Sequence, residues 1–259
     1  MSSPSRASHD DWDTHWRHYA EAAGQNPAQR MRHDLIARLL CQDAAHGAMR
    51  VFDIGSGQGD LLQKLEPLLP NARLLGGELS ENGVAISRRK VPQATFVVAD
   101  FFDPPPALND FVGWATHAVC CEVLEHVDDP VAFLKRAGKY LAPEARLIVT
   151  VPGGPMSAFD RHIGHRRHFD RRETLEMIEE AGYSVERIYR AGFPFFNLYR
   201  LLVIVRTAQL SHDMGSASAD TSSTLGRWVM KLFGVLFHAN LRDFAFGWQL
   251  VAVARKASP

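Results

Sequence analysis

Cysteine is scarce in this chain, with three in 259 residues. Cys41 stands alone, and Cys120 and Cys121 are adjacent, so neither a disulfide framework nor a metal-ligand spacing arises. A reducing cytoplasm is the expected setting. An excess of one charge is also missing. The 29 Lys+Arg balance 29 Asp+Glu, which leaves no bulk field to draw a nucleic acid. No uncharged run reaches the ~20 residues that a membrane span needs. The opening stretch, MSSPSRASHDDWDTHW, lacks the apolar core of an export signal. What remains is an ordinary globular composition. Hydrophobic residues make up 46%, enough for a substantial core, and the length suits one large domain with an appendage or two small ones.

One further absence is local. Residues 51–60 read VFDIGSGQGD, with Gly55, Gly57 and Gly59 at alternate positions between an apolar run and the helical pattern LLQKLEPLL. A GxGxxG dinucleotide fingerprint starting at Gly55 would need its third glycine where Asp60 stands. That argues against an NAD-dependent oxidoreductase. The stretch predicts a buried strand, a tight turn and a helix. Glycine permits positive φ and close approach of a ligand to backbone. The helix N-terminus behind it offers free N–H groups to an anionic or carboxylate-bearing ligand.

Further strands are expected over residues 72–78, 94–100, 116–121, 145–151, 183–193 and 248–256, with helices between them. Ser80 and Asp129 read as helix N-caps, Pro130 as the first residue of its helix, and Asp170 with Glu173 as a capping box. The alternation predicts an α/β fold with a doubly wound, mostly parallel seven-stranded sheet. Ligands in such sheets bind outside the carboxyl ends of the strands, where Asp53, Glu78, Asp100, Cys121 and Val151 all fall. Glu78, ending the second strand, is placed to accept hydrogen bonds from both hydroxyls of a ribose.

The DxGxGxG pattern of Asp53 to Gly59 resembles motif I of class I S-adenosylmethionine (SAM)-dependent methyltransferases, a Rossmann-like family. The resemblance covers roughly residues 50 to 190 and the last strand. It implies SAM as cofactor, held by Asp53, Gly55, Ser56, Gly57 and Gly59 at its methionine part, by Glu78 with Leu79 at the ribose, and by Asp100 and Phe101 at the adenine, with Cys121 beside them. It also implies that the sixth and seventh strands pair antiparallel at the sheet edge. The segment EVLEHV, residues 122–127, is similar to one in methyltransferases that O-methylate ubiquinone precursors. In those relatives two glutamates and a histidine can hold a divalent ion, which would place Glu122, Glu125 and His126 around a metal. The same letters occur in relatives without one, so the metal stays open, and His126 remains equally a base or a structural residue.

The loop after the fifth strand, PGGPMSAFDRHIGHRRHFD, concentrates histidine and arginine. Its GHRRHF resembles a GHRR-aromatic segment of assorted bacterial methyltransferases. Histidine suits proton removal near neutral pH. Gly164 lets the backbone turn His165 inward, so His165 is the first candidate for substrate base and His126 the second. Arg161, Arg166 and His168 are the candidates for binding an anionic substrate group, with His168 alternatively bracing the next helix.

Three parts are expected: residues 1–46 as an N-terminal helical lid carrying Trp12, Trp16 and Tyr19; 47–192 with 244–259 as the SAM-binding core; and 193–243 as an apolar helical insertion. In that insertion Leu225, Trp228, Val229, Leu232, Phe233 and Leu236 fall on one helix face. It could cap the pocket, form a homodimer, bind a lipid-like substrate or rest on a membrane as a peripheral contact. The expected activity is transfer of the SAM methyl group, with oxygen as the acceptor, to a small, largely apolar molecule bearing an anionic group. The alternatives are C-methylation of an isoprenoid- or lipid-like substrate, or a non-catalytic SAM-binding protein.

Overall fold

The computed structural model describes residues 12–14, 16, 26–43, 48–212 and 224–257, with backbone alone over 206–212 and 224–227. Tyr19, the first ten residues, the 213–223 linker and the side chain of Leu225 lie outside the described residues.

Helix α1 (Pro27–Asp43) precedes β1 (Arg50–Ile54), and the glycine turn leads into α2 (Asp60–Leu68). Then follow β2 (Arg73–Glu78), α3 (Glu81–Lys90), β3 (Thr95–Val98), β4 (Ala115–Cys121), α4 (Pro130–Ala137) and β5 (Leu141–Pro152). The capping signals act as read: the Ser80 hydroxyl accepts Gly83 N–H at 3.0 Å, and Asp129 accepts Ala132 N–H at 2.9 Å. A short helix, α5 (Ala158–His162), interrupts the histidine-rich loop. It was not expected, and its signal was the Ser157–Asp160 capping box. The chain closes with α6 (Arg171–Glu180), β6 (Tyr183–Ala191), α7 (Phe195–His212), α8 (Thr224–Leu236) and β7 (Gln249–Lys256).

The seven strands lie in the order β3-β2-β1-β4-β5-β7-β6. β3, β2, β1, β4 and β5 pair parallel, and β7 enters antiparallel between β5 and β6. The α/β, mostly parallel, seven-stranded expectation is met. So is the antiparallel pairing of the last two strands, across the helices that separate them in sequence.

Strand periodicity divides the core between the two sheet faces. Phe52 and Ile54 join Leu134, Ala137, Met177 and Ile178 under α4 and α6. Val51 turns the other way, toward Ile36, Leu40, Leu62 and Leu65 under α1 and α2. A third, small cluster ties α1 to the insertion through Ala28, Met31, Phe196, Phe233 and Phe237. The predicted apolar stripe of α8 is split. Phe233 faces inward, whereas Trp228 and Leu232 are exposed.

The strand order reverses between β1 and β4, so a crevice opens at their carboxyl ends. The motif I turn, Glu122 after β4, and the α5 loop after β5 all border it.

Candidate active site

The crevice holds about 320 Å³. Its floor is the glycine turn. Gly57 has φ +54°, and a Cβ there would stand 2.8 Å from the Trp16 ring. Only glycine satisfies both demands. Asp60, where the dinucleotide fingerprint needs glycine, opens α2 and binds Lys90 Nζ at 2.5 Å and Gln29 at 3.1 Å. It fixes the turn between α1 and α3.

Glu78 is buried at the end of β2. One carboxylate oxygen accepts Gly57 N–H at 2.8 Å and the other accepts Ser80 N–H at 3.0 Å. The group thereby ties motif I to β2. Asp53 sits deeper. Burial first, and then the Glu78 charge, push its carboxyl up to about 7. Cys121 also lines the crevice, with its sulfur 3.1 Å from Thr150 Oγ1, and burial pushes its thiol up to about 12. It is therefore a neutral wall.

Other expected cofactor residues are placed differently. The Ser56 hydroxyl is buried toward Gly76 and has no hydrogen-bond partner among the described residues. Asp100 accepts Phe102 N–H at 2.8 Å, and Leu79 is exposed beside Glu78. The expectation for Phe101 is corrected. Its ring packs at 5.3 Å from Phe133, 6.0 Å from Phe52 and 6.3 Å from Tyr140, inside the core under β2. The exposed aromatic neighbour is Phe102.

The three candidate metal ligands, Glu122, Glu125 and His126, are not brought together. Glu122 turns away from Glu125 and His126: one oxygen accepts Gln249 Nε2–H at 2.9 Å and Thr150 Oγ1–H at 3.1 Å, and the other faces Arg32 at 3.6 Å. Its ligand oxygens are engaged, so the expected trio does not converge. Glu125, His126 and His165 do bring ligand atoms within 4.8 Å of one another. The hydrogen bonds of the α5 loop point to a different use.

Gly154 O can only accept, so His168 Nδ1, at 3.1 Å, carries the proton. A neutral His168 then offers Nε2 as acceptor, and His165 Nδ1 donates to it across 3.3 Å. This leaves the lone pair of His165 Nε2 free, 3.9 Å from Glu125 Oε1. Burial, as the leading cause, pushes His165 down to about 4 and lowers His168 too, so both rings are neutral at pH 7. Glu125 is wholly enclosed, and neither oxygen has a hydrogen-bond partner among the described residues. Burial and then Glu122 raise it well above the usual carboxylate range. His126 packs edge-on against His165 and Trp12, with ring centroids 4.8 Å apart in both cases.

The expected substrate arginines do not reach the crevice. Arg166 pairs with Asp128 at 2.5 Å, and Arg161 is exposed. Two arginines missed in the sequence line it instead. Arg32, on the inward face of α1, lies beside Glu122, and its Nε–H has no hydrogen-bond partner among the described residues. Arg200, on α7, binds both oxygens of the buried Asp160 at 2.8 and 2.9 Å. Asp160 in turn lies 4.0 Å from His165 Nδ1 and 3.8 Å from His168 Nε2. The crevice thus brings the motif I turn, Arg32 and the neutral His165 ring together on its walls.

A Rossmann-like sheet with β7 between β5 and β6, and this crevice over β1 and β4, define a class I SAM-dependent methyltransferase. The profile of the methyltransferase domain family matches residues 15–188, and the chain belongs to that family. Over 197 residues it is 25% identical to trans-aconitate 2-methyltransferase of Afipia carboxidovorans, covering 74% of this chain and 71% of that relative. It is 30% identical over 144 residues to trans-aconitate 2-methyltransferase of Variovorax paradoxus, where the match spans 55% of this chain and half of that relative's length. Its fold is similar to Haemonchus contortus phosphoethanolamine N-methyltransferase 2 in complex with SAM, at a TM-score of 0.54 and 15% identity, covering 85% of this chain and 52% of that one. SAM is accordingly the methyl donor, and the chain is an enzyme. No described helix is long and apolar enough to cross a membrane.

Proposed function

We propose that this methyltransferase moves the SAM methyl group to an oxygen of a small, largely apolar molecule, with His165 Nε2 as the base. The observation that carries this reading is the ordered tautomer chain from Gly154 O through His168 to His165, which leaves one unprotonated ring nitrogen at the crevice. SAM supplies a sulfonium methyl that is already activated. The chain has to align a nucleophile behind that methyl, take its proton and exclude water. His165 accepts the proton, and the resulting imidazolium lies 4.0 Å from the charged Asp160. Trp12, Phe159, Phe196, Tyr199 and Trp248 give the crevice its apolar walls.

The trans-aconitate 2-methyltransferases are named for an anionic substrate, and the basic loop led to the same expectation. The crevice supports a neutral acceptor end better, because Arg200 and Arg32 each face an acid of the protein itself. The test is incubation with deuterated-methyl SAM and a fractionated small-molecule extract, read by mass spectrometry. A labelled methyl ether or ester supports the reading. A label on carbon or nitrogen overturns the choice of oxygen.

Glu78→Ala should weaken SAM binding by about 1.5–3 kcal/mol, the range for hydrogen bonds to a charged group. Calorimetry that finds an unchanged dissociation constant in a folded variant would remove Glu78 from the cofactor site. Turnover should also persist in EDTA, because Glu122 is committed to Arg32, Gln249 and Thr150. Loss of activity that added Mg²⁺ or Zn²⁺ restores would return the metal to this site.

A further inference from the structure

We infer that the insertion, through α7 and the groove beside it, docks on the surface of an anionic lipid bilayer. Exposed large apolar side chains are not spread evenly over the described residues. They concentrate on residues 193–246. Leu198, Leu201, Leu202 and Val205 form a bare stripe along α7, at the i, i+3, i+4, i+7 spacing of one helix face. α8 carries a second stripe of Trp228, Leu232 and Val235, with Trp228 67% exposed. The inward faces of both helices are already satisfied by Tyr199 and Phe233, with Phe237 just after α8, so these outer stripes are surplus to the cap's own core.

Between α7 and the chain before β7 lies a groove of about 430 Å³, walled by Phe193, Pro194, Leu198, Leu201, Phe246 and Trp248. Its size and lining suit a hydrocarbon chain. Arg190 stands on its edge and makes no ion pair or side-chain hydrogen bond among the described residues. Phe246, 66% exposed, stands at the rim. A lipid with its chain in the groove and its phosphate at Arg190 would meet both features. Trp248 also borders the active-site crevice, so the groove and the crevice share a wall.

Charge decides between a bilayer and a second copy of this chain. Around the apolar surface stand Arg190, Lys231, stacked at 5.7 Å over Trp228, and Arg242. Among the described residues of this surface the acid is Asp243, which is held by Arg187 at 2.9 Å. A two-fold interface would set this basic patch against itself. An anionic leaflet attracts it, while the apolar stripes enter the headgroup boundary and the lysine stays at the surface.

The test is co-flotation of the full chain with phosphatidylcholine vesicles, with and without phosphatidylglycerol. The chain should float with the phosphatidylglycerol vesicles at low salt and be released at high salt. Leu201→Asp with Phe246→Asp should lower the bound fraction by about tenfold or more, because a buried charge opposes entry into the apolar layer. Arg190→Ala should lower the preference for anionic vesicles. Calorimetric SAM binding checks that each variant is folded, and Leu198→Ser with Leu202→Ser replaces the double aspartate if it is not. Failure to float with either vesicle overturns the inference, as does equal flotation of the folded stripe variants. A stable dimer in sedimentation equilibrium that Leu201→Asp dissociates assigns the surface to a second copy and overturns it as well.

Discussion

Replacing His165 by alanine is expected to lower kcat by about 10²–10⁴, the usual scale of general-base catalysis, while the SAM dissociation constant stays near wild type. The ring is fixed before substrate arrives. His168 and Gly154 O determine which nitrogen is protonated, so no tautomer has to be selected during the reaction. The pH dependence follows from burial. An exposed imidazole would lose its base function below about 6.5. His165, pushed down to about 4, stays neutral through the whole physiological range. The acid limb that it contributes to kcat/KM should therefore lie near pH 4, and methyl transfer should stay flat from pH 6 upward unless another group titrates. A limb near 6.5 that vanishes in His165→Ala would show a ring that is solvated during turnover. Full activity of the alanine variant would reject the base role. Loss of substrate affinity at unchanged kcat would make His165 a binding residue.

The fold was legible because its signals are local and repeated. The alternation of strand and helix, the caps at Ser80 and Asp129 and the Asp170–Glu173 box each depend on residues a few positions apart. The contact between motif I and the second strand was legible for the same reason: Gly57 and Glu78 follow or end strands that topology brings together. Their mutual hydrogen bond follows from the parallel pairing of β1 and β2. Legibility stops where partners come from distant elements. Gly164 signalled the inward turn of His165, but nothing within GHRRHF says that Arg166 will turn outward to Asp128. Arg32 and Arg200 carry no local signal in the sequence. Arg32 belongs to the side of α1 that packs over motif I, and Arg200 answers a buried Asp160 forty positions earlier. Phe101 misled for a related reason. The spacing identified the end of β3 but not which of two adjacent rings, 101 or 102, turns into the core.

Replacing Arg200 by leucine is the second large effect expected, and it tests how the insertion is coupled to the base. Asp160 is fully buried. Burial alone would raise its carboxyl, but the Ser157 hydroxyl and the Arg200 guanidinium outweigh this and hold it below the ordinary value. Removing Arg200 leaves a buried charge without its cation, which costs about 3–5 kcal/mol. The urea midpoint should fall accordingly. Asp160→Asn in the same chain should recover much of the loss, because the charge that needed compensation is gone. A stability loss alone could reflect packing, so the histidines supply the second readout. Arg200 lowers the pKa of both His165 and His168, whereas Asp160 raises them. In Arg200→Leu the nearby negative charge acts unopposed, and the His165 titration followed by imidazole NMR should move up from about 4 toward neutrality. In Arg200→Leu with Asp160→Asn it should move back down. An unshifted titration in a destabilised Arg200→Leu would make the ion pair a structural clamp between α5 and α7 with no hold on the base. A shifted titration would show that the helix lying over the crevice also sets the protonation of the group beneath it.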